Sequence, residues 1–299
     1  FVPVLDIANG QQARNTTDYS PLHVKYVAKN VKVKDDIRLA KLFMKAAGVY
    51  GAESYINGFS GHVIDTLTAD YGGFPLLLAH ALEWDVKEVI DIEGHYKNRH
   101  EVFKTLNASK LQSPLIVIDP IEKDRNAAAA LGLDKFKKFK EVSKKFLSKP
   151  DLEFFKEKII SLKQLEANKK GRTLVLLETK TPTGKVDVIG AKMRVLFETL
   201  QRRFAEEDFA IHGKGWQFNS TTMFWFYFDP TPLQATKLHF GPPINLAKEH
   251  IARFKKAWKG HKVAIKDKKY VVTLKRKFTK PNELAKALAK EFKLSLICR

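Results

Sequence analysis

The side chains able to do chemistry in this sequence are scattered basic and polar residues. His23 falls in the first turn after Ser20-Pro21, Lys41 and Tyr50 sit at the far end of the next expected helix, and Asp119-Pro120 runs on to Asp124-Arg125-Asn126. An imidazole near a helix N-terminus, an ammonium and a phenol hydroxyl can all donate to phosphate oxygens. An arginine behind a rigid Asp-Pro turn presents a planar fork suited to a base edge or a phosphate. Each has an ordinary reading as well: a surface histidine, a solvated lysine, an interhelical tyrosine, and the usual turn and cap chemistry of Asp and Asn. Residue types and spacing leave both readings open. The sequence has no Walker-type loop, no Cys/His metal cluster and no Gly-x-Ser-x-Gly elbow, so the common enzyme signatures are missing.

Charge narrows the partner. The 299 residues carry a formal net charge of +20, which calls for a polyanion. With 44% hydrophobic and 11% aromatic residues the chain can bury real cores, so this charge belongs to a folded protein. Lys135, Lys137, Lys138, Lys140, Lys144 and Lys145 form either a solvated helix face or a phosphate-tracking surface, and Lys192 and Arg194 on a later helix are further candidates for RNA contact. The single cysteine, Cys298, excludes a disulfide framework and a cysteine-ligated metal. No apolar run reaches the roughly 18 residues of a membrane span, so a cytoplasmic protein with no membrane partner is expected.

These residues need positioning elements. Phe1 to Leu5 reads as a strand, the polar stretch Ala8 to Tyr19 as a loop, and Ser20-Pro21 as an N-cap followed by proline at the first helical position. A helix from Asp35 to Ala47 would turn Ile37, Leu39, Leu42, Phe43 and Ala46 inward. Gly58 to Trp84 gives two helices broken at Gly72-Gly73, Ile116 to Ile118 a strand, and Asp134 to Ser148 a lysine-rich helix stopped by Lys149-Pro150. Residues 1–150 therefore read as a mostly helical domain. Residues 151–299 alternate: strands at Leu174–Glu178, Met223–Asp229, Leu238–Phe240 and Tyr270–Leu274, and helices at Lys185–Phe204, Leu246–Trp258 and Asn282–Phe292. The expected class is α+β, with an antiparallel ferredoxin- or RRM-like sheet, helices on one face, and a C-terminal tail. In Phe224 to Phe228 one face must be core; Trp225 and Tyr227 either stack on bases or lie under another layer.

Several segments together resemble the archaeal, class I CCA-adding tRNA nucleotidyltransferases. They are Ser20-Pro21-Leu22-His23, Arg38-Leu39-Ala40-Lys41, Gly48-Val49-Tyr50-Gly51-Ala52-Glu53, Gly58-Phe59-Ser60-Gly61, Tyr71-Gly72-Gly73-Phe74, and Ile118-Asp119-Pro120 with Asp124-Arg125-Asn126-Ala127-Ala128-Ala129. Phe240-Gly241-Pro242-Pro243 is a weaker echo. The resemblance implies addition of C, C and A to the tRNA 3′ end from CTP and ATP. It implies that Ser20, His23, Lys41 and Tyr50 hold the incoming triphosphate and that Arg125, with Asp119 and Asn126 beside it, reads the base. The basic surface, including Lys135, Lys138, Lys192 and Arg194, would grip the acceptor and TΨC arms; a homodimer is one arrangement open to it.

The family's Gly-Ser motif and metal-binding carboxylates have no match here. The resemblance therefore implies Mg²⁺ held by a catalytic head upstream of Phe1, the Phe1 strand being its cut end, and a chain that binds tRNA without itself adding nucleotides. Two local departures stand out: Tyr19 where the family pattern carries arginine, and His62 where it commonly carries tyrosine. A poly(A) polymerase or oligoadenylate-synthetase relative and a non-catalytic RNA-binding protein are the rival readings.

Overall fold

The computed structural model describes residues 3–30, 34–157 and 160–297. The chain divides into two compact units, 1–159 and 160–299.

The first unit is helical around an aromatic core. Helix α1 (Ser20–Asn30) follows a 3₁₀ turn at Thr16–Tyr19, and α2 (Lys34–Ala46), α3 (Gly61–Asp70), α4 (Phe74–Glu83), α5 (Arg99–Thr105) and α6 (Leu133–Ser148) make up most of the rest. The short strands β1 (Glu88–Ile90) and β2 (Leu115–Val117) pair in parallel. Phe43 is fully buried, with ring centroids 5.3–6.2 Å from Phe74, Phe146, Phe154 and Phe155, so the turn at Leu152–Phe155 closes onto this same core. Burying such a ring stabilises by roughly 1.5–3 kcal/mol.

Three local expectations change in this unit. The opening strand is not formed over Pro3–Leu5, where Val4 and Leu5 are exposed; Phe1 and Val2 lie outside the described residues. Ser20 is not an N-cap but the first residue of α1, already in right-handed helical conformation, because the 3₁₀ turn runs into the helix. The cap sits at Asn15, whose side chain accepts from the Thr17 and Asp18 amides while buried Asp18 accepts from Leu5, Arg14 and Asn15. The inward face of α2 is Ile37, Ala40, Phe43 and Met44, whereas Leu39 and Leu42 remain exposed. The apolar stripe is rotated toward α3 and α4.

Asp36 also leaves α2 to cap its neighbour, its Oδ1 accepting from the Phe74 amide at 2.9 Å. That contact needs Gly73, which has φ of 140° and where a Cβ would stand 3.2 Å from the same oxygen.

The second unit places α7 (Leu162–Ala167) before β3 (Thr173–Lys180), α8 (Val186–Glu206), β4 (Ile211–Phe218) and β5 (Thr221–Phe228), and ends with α10 (Pro281–Phe292) and β9 (Ser295–Ile297). The strand order is β4-β5-β3-β9, and all pairs are antiparallel. That is the β-α-β-β-α-β topology of ferredoxin-like folds, as expected. Between β5 and α10 the chain inserts β6 (Thr236–Pro243), α9 (Lys248–Ala257), β7 (Val263–Lys266) and β8 (Lys269–Lys275), which form a separate three-stranded sheet. The second unit thus contains two sheets, not one. Gly241 of the Gly-Pro-Pro echo lies under Phe254 of α9; a Cβ there would meet the ring at 2.5 Å.

Phe224, Phe226 and Phe228 face α8 and α10. Trp225 and Tyr227 face the other way and are covered by Leu165 of α7, whose carbonyl accepts the Tyr227 hydroxyl at 2.9 Å. They are 6% and 8% exposed and form a second small core, not a stacking platform for bases.

Gly73→Ala is expected to lower the stability of the first unit by about 1–3 kcal/mol through positive-φ strain and pressure on the Asp36 cap. Denaturant unfolding measures it; an unchanged midpoint refutes this account of the cap.

Candidate nucleotide-binding site

The site is built around a loop that starts as a strand end. After β2, Ile118 and Asn126 bridge, and the Asp119 amide donates to the Arg125 carbonyl, closing residues 119–126 into a compact turn. Pro120 stiffens its entry. Asp119 Oδ1 accepts from the amides of Ile121 at 2.9 Å and Glu122 at 3.3 Å, an Asx-type arrangement. Asn126 locks the other side: its Oδ1 accepts from Val117 and Ala128, and its Nδ2 donates to the Lys110 carbonyl. With 3% of its surface exposed, Asn126 is a strut of the loop.

Asp119 is fully buried, and three charged or chargeable side chains converge on it. His23 Nε2 is 2.9 Å from Oδ1, Arg125 Nη1 donates to Oδ2 at 2.6 Å, and His62 Nε2 lies 3.5 Å from Oδ2. Burial works against the ionised carboxylate, but the His23 and His62 contacts, the charge on His23 and the Ile121 amide outweigh it and hold the carboxyl far below the usual range. The rings of His23 and His62 stack at 3.7 Å, and Tyr19 stacks with His23 at 6.0 Å. Arg125 lies over Tyr19, 5.9 Å from its ring centre, with its side chain about a third exposed. Most of its donors remain available to a ligand.

Beside this cluster opens a cleft of about 580 Å³ lined by Ser20, His23, Lys34, Arg38, Lys41, Gly61, His62 and Asp65, among others. Ser20, His23 and Lys41, expected at a triphosphate, therefore meet on one wall. Lys41 does not point there freely, because its ammonium pairs with Asp65 at 2.6 Å. Tyr50 does not line the cleft. It bridges to Phe59 with Lys45 over its ring, and its hydroxyl would stand 3.1 Å from a Cβ on Gly61, behind the first turn of α3.

The basic helix α6 serves partly as structure. Lys135 donates to the Gly48 carbonyl at 2.8 Å and Lys140 to the Trp84 carbonyl, so both satisfy acceptors at helix ends. Lys145 pairs with Glu141, while Lys137, Lys138 and Lys144 are exposed. In the second unit Lys192 is exposed on α8, and Arg194 on the same helix pairs with Glu198 at 2.8 Å.

Three participants had no expected role: Tyr19, His62 and Asp65. Tyr19 and His62 are the two local departures from the family pattern, and the fold places both against the ring of His23. Asp65 carried no sequence signal, since a carboxylate on an amphipathic helix is ordinary.

Replacing Asp119 with asparagine removes the charge that His23 and Arg125 share. The expected loss at neutral pH is on the order of 3 kcal/mol, toward the lower end for a broken buried pair because Arg125 stays partly solvated. A carboxyl with a depressed native value stabilises fully above its unfolded pKa near 3.9 and loses that contribution as pH falls toward the native value. The gap between wild type and Asp119→Asn is therefore retained above the unfolded carboxyl range and closes in strong acid. Denaturation midpoints across pH check this; a gap that widens on acidification contradicts it.

Residues 35–156 match the family described as tRNA nucleotidyltransferase, second domain, and residues 170–296 match CCA-adding enzyme, C-terminal domain. Among relatives, the CCA-adding enzyme of Methanosarcina barkeri is 32% identical over 291 residues, covering 93% of this chain and 61% of its own length. That of Methanocaldococcus jannaschii is 30% identical over 285 residues, 93% of this chain and 62% of its own. That of Nanoarchaeum equitans reaches 43% over 137 residues, 46% of this chain and 35% of its own. The chain thus spans about three fifths of the first two relatives. Over these residues, with a second domain and a C-terminal domain matched in order along it, the chain is similar to the archaeal CCA-adding enzymes.

Proposed function

We propose that this chain takes part in completing tRNA 3′ ends with C, C and A, using CTP and ATP, in the cytoplasm. The observation that carries the reading is the convergence of Ser20, His23 and Lys41 on one cleft wall with Arg125 tied to the same wall through Asp119. In this reading the triphosphate lies along the cleft, receiving donors from His23, Ser20 and Lys41, with Asp65 aiming the ammonium. Tyr50 supports the Gly61 turn from behind and reaches the phosphates through a short side-chain shift. Arg125, its fork backed by Asp119 and flanked by Tyr19, offers hydrogen bonds to the edge of the base. Asn126 holds the loop that presents it.

The exposed lysines of α6 and Lys192 of α8 are assigned to the acceptor and TΨC arms, where phosphate contacts are sequence-independent. Arg194 and Lys135 contribute by exchanging or extending their present partners.

Magnesium is the ion expected for nucleotidyl transfer, and it takes oxygen ligands. Among the described residues the group of three possible metal ligands is His23, His62 and Asp119. Two imidazoles and one carboxylate do not fit magnesium, and the contribution of these residues is confined to binding and orientation.

Titration of this chain with CTP, with ATP and with tRNA lacking its terminal CCA tests the reading. His23→Ala and Lys41→Ala are each expected to weaken triphosphate binding roughly tenfold, the size of one charge-assisted hydrogen bond, with tRNA affinity nearly unchanged. Arg125→Ala should erase the difference between CTP and ATP. tRNA affinity should fall roughly a hundredfold or more between 50 and 200 mM salt, as several phosphate contacts imply. If Arg125→Ala instead weakens tRNA uniformly and flattens the salt slope, it is only a phosphate contact and the RNA-binding reading replaces this one.

A further inference from the structure

The triphosphate reading uses one face of His23 and leaves His62 without a task, although His62 is the most closely packed neighbour of the site. Its side chain is 17% exposed, its ring lies 3.7 Å from that of His23, and its Nε2 is buried without a hydrogen bond, 3.5 Å from Asp119 Oδ2. A buried nitrogen held only by so long a contact to a carboxylate is weakly satisfied, and an ion between the two atoms would meet both. We propose that His23 Nε2, His62 Nε2 and an Asp119 carboxylate oxygen form a binding site for a divalent transition-metal ion of the zinc class.

The three donor atoms all lie within 4.8 Å of one another, and the two rings, stacked 23° from parallel, must swing apart for both Nε2 lone pairs to meet one ion. Two neutral imidazoles and one carboxylate are a donor set for Zn²⁺, Co²⁺ or Ni²⁺. The supporting contacts have the form that metal sites use. The Thr66 hydroxyl lies 3.4 Å from His62 Nδ1, which leaves Nε2 as the nitrogen facing the cluster. Asp119 is fixed by the Ile121 and Glu122 amides and by Arg125. The adjoining cleft gives the ion an entry path and room for water at a remaining position.

Binding requires the proton between His23 Nε2 and Asp119 Oδ1 to leave that line. The ion displaces that proton, so metal and proton compete for the same nitrogen. Asp119 supplies the single negative charge. The ion would occupy the phosphate-facing edge of His23, so metal and nucleotide would exclude one another there.

Cobalt(II) added to the metal-free chain is the probe, because its visible absorption reports the coordination number and symmetry of the bound ion. One equivalent is expected to bind with a visible spectrum of low-symmetry, four- or five-coordinate Co²⁺, and Zn²⁺ should displace it. His62→Tyr keeps an aromatic ring against His23 and removes the ligand; it should weaken binding about tenfold or more. Thermal denaturation provides the second measurement: Zn²⁺ should raise the midpoint of the wild-type chain and leave that of His62→Tyr, or of His62→Gln if the tyrosine variant does not fold, unmoved. A chain that gives no such spectrum, or one whose metal affinity and zinc-dependent midpoint survive loss of His62, overturns the proposal. CTP and ATP titrations in metal-free buffer are a separate readout, so failure here is distinguishable from failure of the nucleotide reading.

Discussion

The carboxylate of Asp119 sits where no water reaches it, and its neighbourhood is arranged to make that tolerable. An unpaired buried charge would cost far more than a domain of this size has to spare. The fold answers with two amides of its own turn, an arginine six residues on, and an imidazole delivered from α1. Because the acceptor geometry of a carboxylate is limited, those partners have little freedom. The requirement to neutralise one buried group therefore fixes where the cleft-lining His23 and the outward-reaching Arg125 stand relative to each other. The same requirement makes Asn126, which holds the loop shut, as important to the site as any side chain that faces it.

Similar logic recurs on a smaller scale. Asp18 gathers three amides before α1, and Asp36 ties α2 to the start of α4, so two of the three helices that line the cleft are each held by a short acidic side chain. Behind them the phenylalanine cluster around Phe43 holds α2, α4, α6 and the turn after α6 at fixed spacing. Lys41 inherits its position from that packing: Ala40, Phe43 and Met44 face inward, which turns Lys41 toward α3 and Asp65.

Long elements with a sustained helical period were readable, as α6, α8 and α10 show. The face of α2 was not, because Leu39 and Leu42 are as apolar as the residues that bury and only the neighbouring helices decide between them. Strands β1 and β9 have three residues each, too few for an alternation to register. Strand β4 was missed because Gly213 and Gly215 dilute its pattern; the rings of Tyr227 and Trp225 lie across those positions. Pairing is a tertiary choice, so strands read correctly one by one gave no sign that they divide between two sheets. Around the cleft, Ser20, His23, Lys41 and Arg125 were singled out through the family resemblance, residue type and spacing alone having left their ordinary readings open. His62 was legible only as a departure from pattern, since its stacking on His23 joins two segments that the sequence keeps apart.

The inserted sheet has a consequence for the order of folding. Strand β9 closes the ferredoxin-like sheet by pairing Leu176 with Ile297 and Leu177 with Leu296, so the two partners are separated by α8, two strands, the whole insert and α10. Loop closure over such a span is slow relative to local hairpins such as β4-β5 and β7-β8. Until β9 arrives, β3 presents an open edge with its backbone donors and acceptors unpaired. The insert, able to form its own hairpins beforehand, shortens the effective distance that β9 must search. A vulnerable interval in the life of the nascent chain is thus built into the topology, and its length depends on a module that contributes no strand to the sheet it helps to complete.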